Sequence, residues 1–413
     1  MGYILDVGMD YPDHLHNKHN CYPLAPEKVE VTSDMLSTYQ KDTYTQLYNR
    51  RCDKKFTTMP PFHSQPKLVP NLRKKSNYIV HGQNLKFYIE KGLVLTKIHR
   101  ILRFNQSPWL KPYIDFNTQK RAEASNDFEK DFFKLMNNAV FGKTLQNPRK
   151  QRTIDFVSTL KKSKKLISHP LFKGFRVINE NLYGIERSPS SILFNKPIYV
   201  GFTVLELSKR HMYDFHYNHI KKIYPGDASQ LCFTDTDSFL YRLKTKDVYA
   251  EMIKYKDLYD FSNFPDQHQC FNGMSTQVIK NIKNMNKKVI GKMKDEMGGI
   301  PILEFIGLRS KMYSFRWSIL DYIMKLKGIP TAMVEKELTF NSYKQSLYNQ
   351  NETVTQMKLF RSNNHNVKTV LQSKISLSCF DDKRYILDDG VTTLAHGHYH
   401  IDVLMDCSNN ECK

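Results

Sequence analysis

Cys232-Phe233-Thr234-Asp235-Thr236-Asp237-Ser238-Phe239 places two carboxylates two residues apart, with β-formers on both sides. In an extended segment residues i and i+2 point the same way, so Asp235 and Asp237 can address one spot. Like charges at one spot repel, and a divalent cation resolves the conflict. Hard oxygen ligands select Mg²⁺ or Mn²⁺, the combination used in metal-assisted phosphoryl transfer. Residues 231–234 and 239–243 read as two short strands, which puts the acids at or near the tip of a hairpin. A solvated Asp-x-Asp turn is also a common accident, so its meaning depends on the rest of the chain.

That chain is strongly basic. Lys and Arg total 62 against 41 Asp and Glu, a net charge of +21 over 413 residues. An excess of this size seeks a polyanion, and nucleic acid is the usual one. Two or three structural units are expected at this length. No run of about 18 apolar residues occurs, and no membrane partner is expected. The start, Met1 to Asp6, lacks the basic region and apolar run of a signal peptide. Seven cysteines, at 21, 52, 232, 270, 379, 407 and 412, are odd in number and include no Cys-x-x-Cys. That pattern suits free thiols in a reducing compartment, so an intracellular, non-secreted protein is expected. His14, His16 and His19 with Cys21, and His396, His398 and His400, match no structural zinc spacing. They are expected as polar loop residues.

Local patterning predicts mixed α and β elements. Strands are expected at 2–9, 77–81, 93–104 and 153–157. A helix near 33–48 would start at Ser33, and a short one at 84–91 would end at Gly92. Ser107-Pro108-Trp109 reads as an N-cap with Pro at the first helical position, opening a helical region to about 145. A lysine-rich helix through Lys161, Lys162, Lys164 and Lys165 is followed by a hairpin around 179–181. A helix from about 197 to 223 precedes the Asp-Thr-Asp strand.

Two further motifs carry chemistry. In Lys134-Leu-Met-Asn-Asn138-Ala-Val-Phe141-Gly142-Lys143, a helical turn of about 100° per residue gathers Phe128, Phe132, Leu135 and Ala139 into one apolar stripe for packing. Lys134, Asn138 and Phe141 fall together on another face. An ammonium, an amide and an aromatic ring suit an incoming nucleotide, and Gly142 leaves room beside a base pair. In Gly307-Leu-Arg-Ser-Lys311-Met-Tyr313-Ser, Lys311 and Tyr313 would share one face of a strand and could hold a phosphate backbone and a sugar. Basic clusters at 73–75, 149–152, 161–165, 221–222 and 280–294 suggest a nucleic-acid track.

The order and spacing of the three motifs resemble the family B DNA polymerases. The likeness is greatest to their protein-primed branch, found in viruses, linear plasmids and self-synthesising transposons of the Polinton (Maverick) type. Phe233-Thr-Asp235-Thr-Asp237-Ser238 is similar to that family's Tyr-x-Asp-Thr-Asp-Ser palm motif, with Phe for Tyr. Lys134-x3-Asn138-Ala139-x-Phe141-Gly142 is similar to its Lys-x3-Asn-Ser-x-Tyr-Gly fingers motif, with Ala139 for Ser and Phe141 for Tyr. Lys311-Met-Tyr313 is similar to its Lys-x-Tyr motif near the palm–thumb junction. Residues 291–296, 304–307 and 380–389 resemble further stretches of the Polinton-type proteins.

The resemblance implies an α+β fold of right-hand polymerase architecture, with palm, fingers and thumb and a palm incomplete at its N-terminal side. Residues 1–106 would be partial palm with a loop-rich insertion, and 107–149 the fingers helices. Residues 150–196 lie where protein-primed members carry an insertion linked to processivity and strand displacement. Residues 197–315 would be palm, and 316–413 thumb and C-terminal region. Asp237 would ligate catalytic Mg²⁺ or Mn²⁺, with Asp235 assisting or holding the hairpin's geometry. Lys134 would contact the triphosphate, and Asn138, Phe141 and Gly142 would shape the nucleotide pocket. Lys311, Tyr313, Thr236 and Ser238 would contact DNA.

The implied partners are DNA template and primer, deoxynucleoside triphosphates, and a terminal protein as a candidate donor of the initiating hydroxyl. The family also uses a carboxylate from an Asp-x-x-Ser-Leu-Tyr-Pro type motif. Asp6-Val-Gly-Met-Asp10-Tyr11-Pro12 copies the ends of that pattern but not its centre. The missing carboxylate is therefore expected before Met1, and a proofreading exonuclease has no counterpart here. Two readings stand: a DNA-directed DNA polymerase portion, or a catalytically inactive DNA-binding remnant of one.

Overall fold

Gly2–Asp10 is the central strand of a three-stranded antiparallel sheet, between Lys75–His81 and Val94–Phe104. The structure is a computed structural model and describes residues 1–53, 55–363 and 366–410. The chain is α+β and divides into two units, one of residues 1–106, 206–355 and 375–413, the other of 107–205 and 356–374. Residues 316–413 are thus divided between the two. Among the described residues, no helix is long and apolar enough to cross a membrane.

In the first unit, Val7 and Met9 of the central strand are fully buried. Two residues apart, they face one way and meet Val80, Leu85, Phe87, Tyr88, Tyr213 and Tyr217 in one core. Two of these three tyrosine hydroxyls find backbone partners, and the Tyr88 hydroxyl is buried with none. Tyr213 donates to Pro23 O at 3.0 Å and Tyr217 to Tyr22 O at 2.5 Å. These bonds hold a segment that departs from the plain helix expected over 197–223. Ile198–Asp214 passes into a π-helical stretch, Phe215–Ile220, before a last turn at Lys221–Ile223. Such stretches are rare and often lie at functional sites. This one turns His216, Tyr217 and Ile220 inward.

The helix expected to start at Ser33 runs instead over Thr38–Cys52. Ser33 opens only a 3-10 turn, Ser33–Met35. The reason is local. Ser37-x-x-Gln40 forms a capping box, with Gln40 N donating to Ser37 Oγ at 3.1 Å and Ser37 N to Gln40 Oε1 at 3.0 Å. Ser33 has Leu36 at the equivalent position, which cannot reciprocate. Gln40 also donates to the Asp381 and Arg384 carbonyls, at 2.7 and 2.9 Å, tying the helix to the 380–389 segment. Ser37→Ala is expected to cost about 1 kcal/mol, seen as a lower urea midpoint at unchanged slope. An unchanged midpoint would show that the cap does not hold this helix.

Of the six histidines in the two clusters, His14 and His400 are exposed, but the other four are not exposed loop residues. His16, His19, His396 and His398 are buried, at 3, 0, 1 and 0 % exposure. His16 Nε2 meets Tyr11 O at 3.2 Å, and His19 Nδ1 meets Tyr11 OH at 2.8 Å. His396 Nε2 meets Asp382 O at 3.0 Å. His16 and His398, far apart in sequence, bring their rings to 5.5 Å. Loop position does not imply exposure when other segments fold over the loop. Among the described residues, no group of three or more His, Cys, Asp or Glu could hold a metal ion. Cys21, Cys52, Cys232, Cys270 and Cys379 are free thiols, and Cys412 lies outside the described residues.

In the second unit, the helical region after Ser107 is two helices, Lys111–Glu123 and Asp127–Thr144. Ser107 caps neither. The first begins at Lys111 with Pro112 in its opening turn, where a fixed φ and a missing N–H cost nothing. Asn126 caps the second, accepting from Glu129 N at 2.9 Å. The two helices pack against each other and are followed by a three-stranded antiparallel sheet. Leu182–Arg187 is central in it, between Thr153–Val157 and Phe172–Asn179. The lysine-rich helix Leu160–Ile167 lies across Phe172–Asn179 and Leu182–Arg187.

Candidate functional site

The two strands of the Asp-Thr-Asp hairpin are Ser229–Asp235 and Ser238–Leu243, with Asp235 opposite Ser238. The acids therefore do not share one extended segment. Asp235 ends the first strand, and Asp237 lies beyond the corner. Thr236 makes that corner at φ 60°, a left-handed conformation that β-branched residues rarely adopt. Asp237 N donates to Asp235 O at 2.7 Å, closing a tight turn. The hydroxyls expected to meet DNA are used in the turn itself. Thr236 Oγ1 donates to Asp235 Oδ1 at 3.2 Å, and Ser238 Oγ to Asp235 O at 3.2 Å. Local strain of this kind costs on the order of 1–3 kcal/mol and persists where surrounding structure imposes it.

Aromatic packing on both faces imposes it here. Phe233 and Phe239 sit on adjacent cross-strand rungs, Phe239 opposite Thr234 and Phe233 opposite Leu240, so their side chains leave opposite faces. Phe233 meets Tyr313 at 4.3 Å and Phe305 at 6.4 Å between ring centroids. Phe239 meets Tyr22 at 5.5 Å, Phe215 at 6.2 Å and His216 at 6.1 Å. His216 bridges Tyr241 OH at 2.9 Å and Cys21 Sγ at 3.7 Å, and burial pushes its imidazole down to about 3. Tyr22, Phe215, His216 and Tyr241 are supporting residues that sequence reasoning missed. The one available signal was the density of aromatic and histidine side chains over 213–219, more than a single helical stripe needs.

The Lys-x-Tyr motif forms a second hairpin, Glu304–Arg309 with Met312–Arg316. Lys311 does not share a strand face with Tyr313. It occupies the turn, at φ 60°, and its ammonium reaches Asp235 Oδ2 at 3.2 Å. Tyr313 follows on the second strand, opposite Gly307. Burial, and next the charge of Asp235, hold its phenol above the usual range, so the ring stays neutral. The structure thus brings Asp235, Thr236, Asp237, Ser238, Lys311 and Tyr313 to one place at the ends of two hairpins.

Within that group the carboxylates differ. Asp235 is a third exposed, at 34 % of its side chain, and engaged by Lys311. Asp237 is exposed, and among the described residues its carboxylate takes no hydrogen-bond or ion-pair partner. Mg²⁺ is commonly held by one or two carboxylates, with substrate phosphates and waters completing its shell. The pair fits one such cation, completed by phosphate, rather than a closed protein cage. No third acid or histidine joins it among the described residues. Asp10 pairs with Lys74 at 3.1 Å. Asp6 lies mid-strand with a buried Oδ1 that has no hydrogen-bond partner.

Because Lys311 neutralises half of the pair, Lys311→Met is expected to tighten Mn²⁺ binding about two- to fivefold, the range of an exposed ion pair. Electron paramagnetic resonance of free Mn²⁺ measures this. Weaker binding in the variant would mean that Lys311 helps to build the site instead of competing for it.

Lys134, Asn138, Phe141 and Gly142 all lie on Asp127–Thr144, in the second unit. Lys134 and Asn138 are exposed, and Phe141 is half-buried. A Cβ at Gly142 would meet nothing within 4 Å. The expected packing stripe is corrected. Phe128, Phe132 and Leu135 are exposed at 80, 43 and 58 %. Phe133, Met136, Asn137 and Val140 are the more buried face. Tyr113 OH donates to Met136 O at 3.5 Å, and Asn137 Nδ2 to Thr118 Oγ1 at 3.4 Å. This helix carries apolar residues on two sides, and periodicity alone cannot say which one meets a neighbour. Lys134, Asn138 and Phe141 flank the packed face by roughly 110° at about 100° per residue.

The 280–294 basic cluster is also less available than its charge suggests. Lys283 pairs with Asp266, and Lys294 reaches Ser262 Oγ at 2.8 Å and Asp260 at 3.5 Å. The chain matches no family model, no curated protein and no solved structure.

Proposed function

We propose that this chain is the polymerase portion of a DNA-directed DNA polymerase, acting in template-directed nucleotidyl transfer for a virus or mobile element. One observation carries the reading. Lys311 and Tyr313, singled out independently of the acids, lie against the Asp-Thr-Asp tip, at 3.2 Å from Asp235 and 4.3 Å from Phe233. A chance Asp-x-Asp turn has no reason to gather them.

In this reading Asp237, with Asp235, would hold a Mg²⁺ or Mn²⁺ ion, which would supply charge neutralisation for the phosphate and for a deprotonated primer hydroxyl. Lys311 turns from Asp235 toward a primer phosphate as a point charge. Tyr313 keeps its ring on Phe233 and offers its phenol edge to a sugar. Lys134 contacts the triphosphate, and Asn138, Phe141 and Gly142 accommodate the nucleotide. The primer hydroxyl attacks the α-phosphate, the bond to the bridging oxygen breaks, and pyrophosphate leaves.

A second reading has its own support: the acid pair gains no third carboxylate among the described residues, whereas a two-metal displacement uses more than one hairpin of ligands. A catalytically inactive, DNA-binding remnant would look like this. Primer extension on a primed template with Mg²⁺ or Mn²⁺ separates the two. Template-directed synthesis sinks the remnant reading. No synthesis, with salt-sensitive DNA binding retained, sinks the enzyme reading.

A further inference from the structure

An open cavity of about 500 Å³ lies within the second unit, and none of the residues assigned to the nucleotide lines it. Met136, Ala139, Val140 and Lys143 do line it, at the i, i+3, i+4, i+7 spacing of one helix face. At about 100° per residue that face points roughly 150° away from Lys134, Asn138 and Phe141. Tyr113, from the neighbouring helix, and Lys196 with Pro197 also line the cavity. Close contacts inside the unit fix the Lys196–Pro197 wall. Gly201 lies in the first turn of Ile198–Asp214. A Cβ there would fall 2.4 Å from Leu145 Cγ and 2.6 Å from Thr144 Oγ1, so only glycine lets this turn approach so near. On the other side of the wall, the Arg149 guanidinium sits over the Phe194 ring at 4.9 Å.

The cavity is mainly apolar, and the two charged residues that line it, Lys143 and Lys196, are both cations. Among the described residues, neither ammonium has an ion-pair or hydrogen-bond partner. Residues 132–154 and 187–205, which supply most of the lining, contain no Asp or Glu. Asp115, on the helix of Tyr113, is already paired with Lys111. A lysine can lay its methylenes along apolar surface and keep its ammonium at the rim.

We propose that this cavity binds a small organic anion, its apolar body against Met136, Ala139, Val140 and Tyr113 and its acidic head on Lys143 and Lys196. Size selects a small molecule, since such sites commonly hold roughly 300–1,000 Å³. Charge selects an anion, because no acid competes for the two lysines. A nucleic-acid strand fits less well. Its evenly spaced phosphates ask for a basic track, whereas this lining is mostly thioether, methyl and ring surface. The site uses the far side of the motif helix, so the inference goes beyond the polymerase reading and stands whether or not the chain makes DNA.

The full chain is titrated with anilinonaphthalene sulfonate, an aromatic body with one anionic head, and with neutral phenylnaphthylamine, binding being followed by fluorescence. Lys143→Gln combined with Lys196→Gln is expected to weaken the sulfonate about five- to thirtyfold, the upper range for two exposed ion pairs. The neutral dye is expected to lose no affinity in that variant. Ala139→Trp, which fills the cavity from an exposed helical position, is expected to lose the saturable site for both dyes. Laurate, an aliphatic anion, is expected to displace the sulfonate, and adenosine monophosphate to leave it bound.

No saturable sulfonate binding to the wild-type chain overturns the proposal, as does unchanged sulfonate affinity in the lysine variant. Equal weakening of the neutral dye overturns it too, because the lysines would then not be reading charge. Displacement by adenosine monophosphate but not by laurate overturns it in favour of a nucleotide pocket. Wild-type binding of both dyes by folded Ala139→Trp places the site elsewhere and overturns it. Should Ala139→Trp fail to fold by circular dichroism, the Met136 methyl NMR signal of the wild-type chain, assigned with Met136→Leu, decides. A shift of that signal on adding the sulfonate supports the site, and shifts confined to other methionines overturn it.

Discussion

Asp237→Ala is expected to reduce template-directed primer extension by about a thousandfold or more while leaving the fold intact. The second half follows from position. Asp237 is exposed beyond the corner of the turn, and its backbone N–H bond to Asp235 O survives truncation. Surface changes of this kind stay within about 0.5 kcal/mol. The first half follows from charge. Losing the less encumbered of two carboxylates removes the better ligand for a hard cation. Metal-ion stabilisation of a phosphoryl-transfer transition state is worth several kcal/mol, and about 1.4 kcal/mol is tenfold in rate. Asp235→Asn should behave differently. It releases Lys311 and weakens the Thr236 contact, so it should disturb the tip's geometry as well as its charge. Single-nucleotide incorporation kinetics, with circular dichroism of each variant, is the measurement. Asp237→Ala extending at the wild-type rate would remove this residue from the chemistry.

Acidification is expected to destabilise the first unit steeply between pH 6.5 and about 4. His19 and His216 are buried, and burial pushes both imidazoles down to about 3. The nearby charges of Lys18 and Lys91, with His216 and His16, lower His19 further, and Lys221 does the same to His216. In the unfolded chain a histidine titrates near 6.5. Between these values the unfolded state binds more protons, so stability falls as pH falls. Each imidazole costs about 1.4 kcal/mol per pH unit, and the pair about 3. Because the unfolded imidazoles are already half charged at pH 6.5, a fall from pH 6.5 to 5 removes about 3 kcal/mol, a large part of the roughly 5–15 kcal/mol of a typical fold.

Carboxylates held low by hydrogen bonds and ion pairs, such as Asp389 and Glu304, act in the same direction but in a lower window, near and below their ordinary values. Denaturant midpoints at pH 7.5, 6 and 5 test the expectation. A flat profile across that range would mean that these imidazoles are not held neutral in the fold.

What was legible before the structure followed from local rules. The Asp-Thr-Asp strands, the 153–157 strand and the lysine helix were readable because alternation, turn residues and helix formers agree over each segment. The 179–181 hairpin followed from Asn179-Glu180-Asn181 between two β-prone runs. Starts were less legible. Ser33 and Ser107 look like caps, but Ser37 and Asn126 do the capping. What selects them is a partner three residues on, Gln40 and Glu129, and the competition between neighbouring candidates. The motif helix failed on its packing face, since Phe128, Phe132 and Leu135 make as good a stripe as Phe133, Met136 and Val140.

The sequence by itself determined which chemistry-bearing residues the chain carries, their order, its basic charge, and the hairpin that displays Asp235 and Asp237. These are matters of identity and short-range periodicity. The tertiary structure alone decided that Lys311 sits in a turn against Asp235, that Phe233 and Phe239 clamp the tip from opposite faces, and that His19 and His216 are buried and neutral. Each of these depends on residues distant along the chain arriving at one place. Burial and pairing belong to the neighbours a side chain acquires on folding, and no local pattern records them.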